Sequence, residues 1–393
     1  MVANPMRTPV LLVIFVCLCA PTEKAFAQGC IVARSNGQVG GPQSEGGYMN
    51  PGEWNLGIGY RHQFSFRHFV GDVEQKQRIA LGTQIMNKIN LENFSATYQA
   101  TPRFSFTANL PLLLASRRGH NSPYTTTSQG IGDMSFTAQG WLWNPKENVR
   151  GNVQFGLGLT APTGRDDVRN TVDSFNGKGP QTLLVDYSIQ PGTGGYGLVF
   201  QWLSFKNVHR AQIYFNGNYV ATPQNTNNVL RSATAAANPL TAYNSISDQY
   251  LLEAGVAFPV SRVRGLTVTF GPRDEGVPAK DLIGKSLGFR RPGYAVSLEP
   301  GFQYVRNRNV VTFAIGKAIY RNRTVSVPDS MVGGHGDAAF ADWVWLASYS
   351  LRVGGKHAAS HHAMPPDPAD SQAAASRLKP AHRPSGSSSA TCI

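Results

Sequence analysis

Residues 152–161 read NVQFGLGLTA, and their polarity alternates with a period of two. The apolar side chains share one parity: Val153, Phe155, Leu157 and Leu159. The polar or small residues share the other: Asn152, Gln154, Gly156, Gly158 and Thr160. Because a β-strand points successive side chains to opposite faces, this segment has one apolar face and one polar face. It fits a soluble sandwich with the apolar face in the core, or a membrane barrel with the apolar face toward lipid.

The same alternation recurs along the chain and predicts eleven more strands. They cover residues 54–66, 89–100, 103–116, 133–143, 195–205, 210–221, 249–258, 266–270, 294–304, 310–320 and 340–353. The segment 89–100 is the least regular, and Glu92 and Asn93 suggest a bulge there. Most of the twelve segments are about 10 to 13 residues long, close to the reach that a tilted strand needs to cross a bilayer.

The connections between these strands alternate between short and long. The short ones lie at residues 101–102, 144–150, 206–209, 259–264 and 307–309, and the long ones at 67–88, 117–131, 162–193, 222–248, 275–292 and 323–339. Outer-membrane barrels show this asymmetry, with short periplasmic turns, long extracellular loops and an even number of strands. Aromatic side chains near the strand ends resemble interface girdles: Trp54, Tyr60, Trp141, Trp143, Trp202, Trp343 and Trp345. We therefore predict an all-β fold, a transmembrane antiparallel β-barrel of about 12 strands.

The two ends of the chain differ from the strand-rich middle. Residues 1–27 read as a signal peptide, with Arg7, an apolar stretch at 10–20 and an Ala-Phe-Ala cleavage site at 25–27. We assign residues 28–51 to a periplasmic N-terminal segment and residues 52–354 to the barrel. Residues 355–393 are rich in Ala, Ser, Pro and His, which predicts a disordered tail. The predicted location is the outer membrane of a Gram-negative bacterium, after cleavage of the signal peptide.

The composition suits strands and tight turns more than long helices. The chain of 393 residues is 41% hydrophobic and 15% charged, with 41 Gly and 20 Phe. Its net charge of +13 comes from 36 Lys and Arg against 23 Asp and Glu. This charge lies either at strand ends, in turns and in the tail, or in a lumen that favours anionic solutes. Without zinc-finger spacing or a basic helix, we predict no nucleic-acid partner.

The cysteines and the tail histidines leave several alternatives open. After signal cleavage the chain keeps Cys30 and Cys392. These are free thiols in the terminal segments, a disulfide between them in an oxidising periplasm, or, for Cys30, a lipidation site. The imidazoles of His357, His361 and His362 are potential transition-metal ligands. Loosely spaced tail histidines rarely form a specific site, so we predict no metal and no cofactor.

Strand parity also predicts which polar side chains point into the barrel. The candidates for lining the lumen are Arg61, Gln63, Asn109, Gln154, Gln201, Gln212, Asn216, Asn218, Glu253, Glu299, Gln303, Asp342 and Arg352. Lining charge and width set the selectivity of such pores. Alternatively, these groups satisfy one another and plug the interior, because twelve strands lie between filled eight-stranded barrels and open porins. In the loop at 281–293, DLIGKSLGFRRPG, we propose Arg290 and Arg291 as anion-binding candidates for a carboxylate or a lipopolysaccharide phosphate.

Three short motifs carry a resemblance to a known family. They are GIGD at 130–133, APTG at 161–164 and QPGTGG at 190–195. With them the chain resembles the outer-membrane barrels associated with the phenol meta-cleavage degradation pathway, which are described as transporters. In that family a GxGD opens a strand, a PTG ends the paired strand, and a QPGTG stretch precedes the next. The resemblance covers roughly residues 130–220 by motif, and it implies passage of small, in part aromatic, compounds.

Taken together, these patterns predict a channel for passive passage of small solutes, aromatic or anionic ones among them. The expected partners are outer-membrane lipid, lipopolysaccharide, the solutes themselves and the barrel assembly machinery during biogenesis. One alternative is a non-conducting barrel that anchors a partner through the tail. Another is a lipid hydrolase, because His62 lies on the apolar strand face. Since no serine stands beside His62 on that face, we predict that the chain is not an enzyme.

Overall fold

The computed structural model describes residues 47–173, 179–232 and 235–354. The predicted signal peptide, Cys30, Cys392 and the histidine-containing tail lie outside the described residues. The predictions made for them therefore stay predictions.

Twelve antiparallel strands form a closed barrel within the described residues. The described residues contain 18 strands in all, of which twelve form the barrel wall. In chain order they are β1 Glu53–Val70, β2 Val73–Glu74, β3 Ile85–Gln99, β4 Phe104–Gly119, β5 Thr126–Ile131, β6 Met134–Trp141, β7 Gly151–Ala161, β8 Arg169–Asp173, β9 Pro180–Leu184, β10 Gly197–Val208, β11 Ala211–Ala221, β12 Thr226–Leu230, β13 Tyr243–Ser245, β14 Gln249–Pro259, β15 Leu266–Val277, β16 Gly293–Arg306, β17 Asn309–Asn322 and β18 Ala338–Gly354. The barrel wall follows the order β1, β3, β4, β6, β7, β10, β11, β14, β15, β16, β17, β18. Pairing of β18 with β1 closes it. The predicted barrel of about 12 strands is confirmed.

The outer surface of the barrel is apolar. On β7, the side chains of Phe155, Leu157 and Leu159 are 57%, 63% and 57% exposed, whereas Asn152 is 2% exposed. Other wall strands show the same arrangement, with exposed Phe106, Phe136, Phe200, Phe215, Phe270 and Trp345. A soluble sandwich would bury these side chains, so the inverted polarity matches a barrel surrounded by lipid.

The bulge predicted in the second strand is absent. Glu92 and Asn93 pair with β1 in one continuous register. Asn93 points into the barrel, where its side-chain amide donates to Asn109 Oδ1 at 3.2 Å. The polar pair therefore keeps the strand alternation, with one residue on each face. Register shifts occur instead in β1, on either side of Ser65, in its pairing with β18.

Strand β15 is longer than the sequence predicted. It runs from Leu266 to Val277, well past the predicted end at Phe270. The pairing with β16 continues past Phe270, with Pro272 opposite Leu298. This extension brings further charged side chains onto the inner face of the wall.

The connections differ in content as well as in length. Asn307 and Arg308 alone join β16 to β17, one residue fewer than predicted, and Asn307 adopts a φ of 56° as primed hairpin turns require. The long connections contain the helical turns Gln77–Ala80 and Val327–Met331 and the strand pairs β8–β9 and β12–β13. In the described part of the chain, no helix is long and apolar enough to span a membrane.

Candidate functional site in the barrel lumen

The three glycine-rich motifs meet at one point of the wall, around the carboxylate of Asp133. Asp133 Oδ1 accepts a hydrogen bond from the backbone N–H of Gly164 at 3.1 Å. Its Oδ2 accepts from the N–H and the hydroxyl of Thr193, both at 2.7 Å. The Thr163 hydroxyl donates to the carbonyl of Gly132 at 2.8 Å. We call residues 130–133, 161–164 and 190–195 the three-motif junction. The motifs stand where predicted, directly before β6, after β7 and before β10.

Two glycines of the junction permit a close backbone contact. A Cβ on Gly192 would overlap the carbonyl oxygen of Gly164, and a Cβ on Gly164 would lie 2.7 Å from the Cα of Gly192. The N–H of Gly192 also donates to the carbonyl of Arg165 at 2.8 Å. Neither position therefore accepts a side chain unless the two segments separate.

The chain between β9 and β10 folds into the barrel. Val185 and Ile189 are 1% and 0% exposed and pack against Ile89, Leu91 and Leu113. These three side chains belong to the inward-facing parity of β3 and β4. We call residues 185–191 the inserted segment, because an apolar contact fixes it to the inner wall.

Ionic and amide hydrogen bonds hold the inserted segment in place. Asp186 accepts two hydrogen bonds from Arg291, at 2.5 and 2.6 Å, and lies 3.3 Å from a guanidinium nitrogen of Arg117. Burial alone would raise the pKa of Asp186, but the charges of Arg291 and Arg117 outweigh it and hold the pKa far below its usual range. The Gln190 side chain donates to the carbonyl of Val185 at 3.1 Å.

A cavity of about 320 Å³ lies inside the barrel, and we call it the chamber. Eight consecutive strands of the wall, from β1 to β14, contribute carboxamides to it. This carboxamide belt consists of Asn55, Asn93, Asn109, Gln139, Gln154, Gln201, Asn216, Asn218 and Gln249. Gln139 donates to Gln201 Oε1 at 3.1 Å, and Asn109 donates to the hydroxyl of Ser135 at 3.2 Å. Thr107, Thr312 and Ser348 add hydroxyl groups to the lining.

A charge cluster lies across the lumen from β1. Arg61 Nη1 donates to Glu275 Oε2 at 2.9 Å. Arg273 contacts Glu253 at 2.5 Å, Glu275 at 3.0 Å and Glu299 at 3.3 Å. Three other strands separate β1 from β15 along the wall, so the pair Arg61–Glu275 bridges the interior. With two guanidiniums and three carboxylates, the cluster does not supply the cationic lining that an anion channel needs.

An aromatic floor occupies the end of the lumen that carries the short turns. Trp141, Leu203 and Phe205 face inward and are buried together, and Tyr48 packs on them. The Tyr48 ring lies 5.0 Å from the Trp141 ring in an edge-on arrangement. Trp141 was predicted to belong to an outer girdle, and this is wrong, since strand parity places it inside. The Tyr48 hydroxyl donates to the carbonyl of Asn148 at 3.1 Å, and burial raises the pKa of this phenol.

The lumen candidates predicted from the sequence separate into distinct groups. Those lining the chamber are Asn109, Gln154, Gln201, Asn216, Asn218 and Glu253. Those in or beside the charge cluster are Arg61, Gln63, Glu253 and Glu299. Gln303 is buried, and Gln212 donates to Asn207 at 2.9 Å. At opposite ends of β18, Asp342 pairs with Arg67 and Arg321, whereas Arg352 donates to the carbonyl of Tyr48 at 3.3 Å.

The two loop arginines predicted to bind anions both have carboxylate partners within the protein. Arg290 is fully buried and donates to Asp281 at 2.8 Å and to the Ser245 hydroxyl at 2.7 Å. Arg291 engages Asp186 of the inserted segment. Binding of an external anion by either residue stays a prediction.

His62 lies on the outer face, as its parity predicted. Its Nδ1 is 2.8 Å from Asn90 Oδ1, and the Tyr60 hydroxyl donates to the same oxygen at 2.8 Å. These contacts describe a polar group of three side chains without a serine nucleophile. They offer no support for lipid hydrolysis.

Sequence reasoning missed four residues of the site. Arg273 and Glu275 were overlooked because the strand was ended at Phe270, although both continue the inner parity of β15. Asp133 was noted only as part of a motif, and its acceptor role needs the folded junction. Tyr48 gave no signal, because one aromatic residue before the first strand shows no periodicity.

The comparisons with known proteins support the fold. No protein-family model matches the chain, and no curated protein matches it in sequence. Among solved structures, an outer-membrane channel from Pseudomonas putida F1 aligns with a TM-score of 0.53 at 13% identity, covering 78% of this chain and 97% of that chain. The CymD monoaromatic hydrocarbon channel aligns at 0.38 and 13% identity, covering 79% and 90%. The P. putida toluene transporter TodX aligns at 0.40 and 10% identity, covering 84% and 99%. Only the first likeness is strong enough to support an argument, and at this identity it concerns the fold alone.

Proposed function

We propose that this protein is an outer-membrane channel through which small solutes pass passively in a Gram-negative bacterium. The observation that carries the proposal is a closed barrel with an apolar outer surface and a polar chamber inside. The exposed apolar side chains suit contact with lipid, whereas the polar side chains inside the barrel line the chamber with hydrogen-bonding groups. Membrane lipid, lipopolysaccharide and the barrel assembly machinery are the partners that such a location implies.

The decisive experiment measures conductance. Residues 28–393 are refolded, inserted into a planar bilayer and tested for single-channel steps, with and without benzoate or salicylate. We expect discrete steps. Block or permeation by these aromatic acids would support the aromatic or anionic cargo that the sequence predicts. A protein that remains soluble without detergent would refute the membrane assignment.

One observation favours a second candidate function, a non-conducting barrel that anchors a partner. Tyr48, Trp141 and Phe205 fill one end of the lumen, and the inserted segment packs inside the wall. Folding into the bilayer without conductance would support the anchor. Deletion of residues 356–393 then distinguishes the two, because loss of partner capture with unchanged permeability points to anchoring by the tail.

A further inference from the structure

The chamber wall offers hydrogen-bonding groups and almost no charge. Among the described residues that line it, none is Lys, Arg or His, and the carboxylates are those of Asp133 and Glu253. Asp133 is engaged by the three-motif junction, and Glu253 pairs with Arg273. An ion that enters such a chamber loses water without meeting an available countercharge, which costs free energy.

The carboxamides suit a solute that both donates and accepts hydrogen bonds. Each amide carries two donors and an oxygen with two lone pairs. An apolar aromatic molecule would leave such groups unpaired, whereas a hydroxylated solute pairs with them.

The geometry limits the size of the solute. The chamber volume of about 320 Å³ lies at the low end of the ~300–1,000 Å³ typical of small-molecule sites. Gly156 lies between two members of the belt, and a Cβ there would come within 3.2 Å of Gln139 Cγ and Gln201 Cβ. The glycine therefore keeps the space in front of the two amides open.

From these features we infer that the carboxamide belt selects small, uncharged, multiply hydroxylated solutes of monosaccharide size over ions and apolar aromatic molecules. The inference rests on the proposed channel function and assigns its substrate class. It also implies that the net charge of +13 does not determine which solutes enter the chamber.

Swelling of proteoliposomes tests the inference. Liposomes containing residues 28–393 are diluted into isotonic arabinose, arabinonate, protonated glucosamine or benzoate, and the initial rates are compared by light scattering. We expect arabinose to enter at least ~10-fold faster than each of the three ions. Equal or faster entry of arabinonate or benzoate would overturn the inference and leave the channel function standing. No swelling with any solute, for protein shown by heat-modifiable migration to be folded, would overturn both.

Two substitutions at one position sharpen the test. Gln201→Leu removes a belt amide and should slow arabinose entry at least ~10-fold, because the neighbouring Gln139 loses its acceptor. Gln201→Arg places a cation in the chamber and should raise the ratio of arabinonate to arabinose entry at least ~10-fold. The matched control is Gln212→Leu, since Gln212 faces inward on β11 but does not line the chamber. If Gln212→Leu slows arabinose as much as Gln201→Leu, or Gln201→Arg leaves the ratio unchanged, the belt does not select the solute.

Discussion

Replacement of Arg273 by Gln tests whether the charge cluster is a dry, interdependent unit. Arg273 is 1% exposed and contacts Glu253, Glu275 and Glu299, whose side chains are 5%, 7% and 8% exposed. Without Arg273, three buried carboxylates share the single guanidinium of Arg61. Removal of one partner from a buried ionic network costs about 3–5 kcal/mol of folding free energy. We therefore expect Arg273→Gln to lower the free energy of unfolding by about 4 kcal/mol.

The assay is urea unfolding of the refolded barrel in detergent micelles or lipid, followed by tryptophan fluorescence, with an unchanged m-value as a requirement. The control is Arg67→Gln, because Arg67 makes comparable ion pairs but is 31% exposed and should lose at most about 1 kcal/mol. In a double-mutant cycle, Glu253→Gln should reduce the cost of Arg273→Gln. A cost similar to that of Arg67→Gln, with no coupling to Glu253, would show that the cluster is hydrated and refute the reasoning.

Three further predictions address the outer surface, the floor and the inserted segment. Leu157→Arg at the middle of β7 should lower the free energy of unfolding in lipid by about 2–4 kcal/mol, because it places a charge on the lipid-facing surface. Gln154→Arg, which faces the lumen, should change it little. If urea unfolding gives the same loss for both variants, the surface that carries Leu157 does not face lipid. Tyr48→Ala should raise single-channel conductance, and so should alkaline pH in the unmodified protein. Burial raises the pKa of the Tyr48 phenol, so packing of Tyr48 on the floor contributes its full stability below the ordinary pKa of 10.0 and weakens as the pH rises through the raised pKa. If neither Tyr48→Ala nor alkaline pH changes the conductance, Tyr48 is not a barrier to ions. Asp186→Asn should loosen the inserted segment, as should acid, since the depressed pKa of Asp186 means that its contribution is present above its ordinary pKa and is lost as the pH falls. Faster labelling of a cysteine placed at Ile189 checks this, and unchanged labelling would show that the apolar contact suffices.

The barrel could be predicted from the sequence because one physical rule repeats in every strand. A strand at a lipid boundary must alternate apolar and polar residues, and residues 152–161 show that alternation without interruption. Two predictions of local strand structure were wrong. The strand beginning at Leu266 was predicted to end at Phe270, and Glu92 beside Asn93 was predicted to form a bulge, although pairing with neighbouring strands continues through both places. In both cases hydrogen bonds to the neighbouring strands determine the structure, and the sequence of one strand gives no information about them.

The candidate site was only partly predictable, for a different reason. Parity tells which face a side chain takes, and Arg61 and Glu253, which share the polar parity of their strands, both lie in the charge cluster. It gives no information about which distant strands face each other across a lumen, so the contact between Arg61 and Glu275 was out of reach. Loops carry no parity at all. The insertion of Val185 and Ile189, and the pairing of Arg291 with Asp186, therefore appear only in the folded chain.

The contacts at the two ends of the lumen imply different roles for them. The inserted segment is fixed by apolar packing of Ile189, by the ion pair of Asp186, and, just beyond it, by the hydrogen bonds of Thr193 to the three-motif junction. Release of this segment would break all three at once, so we expect it to stay fixed against the inner wall. The segment around Tyr48 is held by ring packing and by hydrogen bonds with Asn148, Asn152 and Arg352, and none of these contacts is an ion pair. If one element moves to let a solute through, the short N-terminal segment around Tyr48 is therefore the one whose displacement costs least.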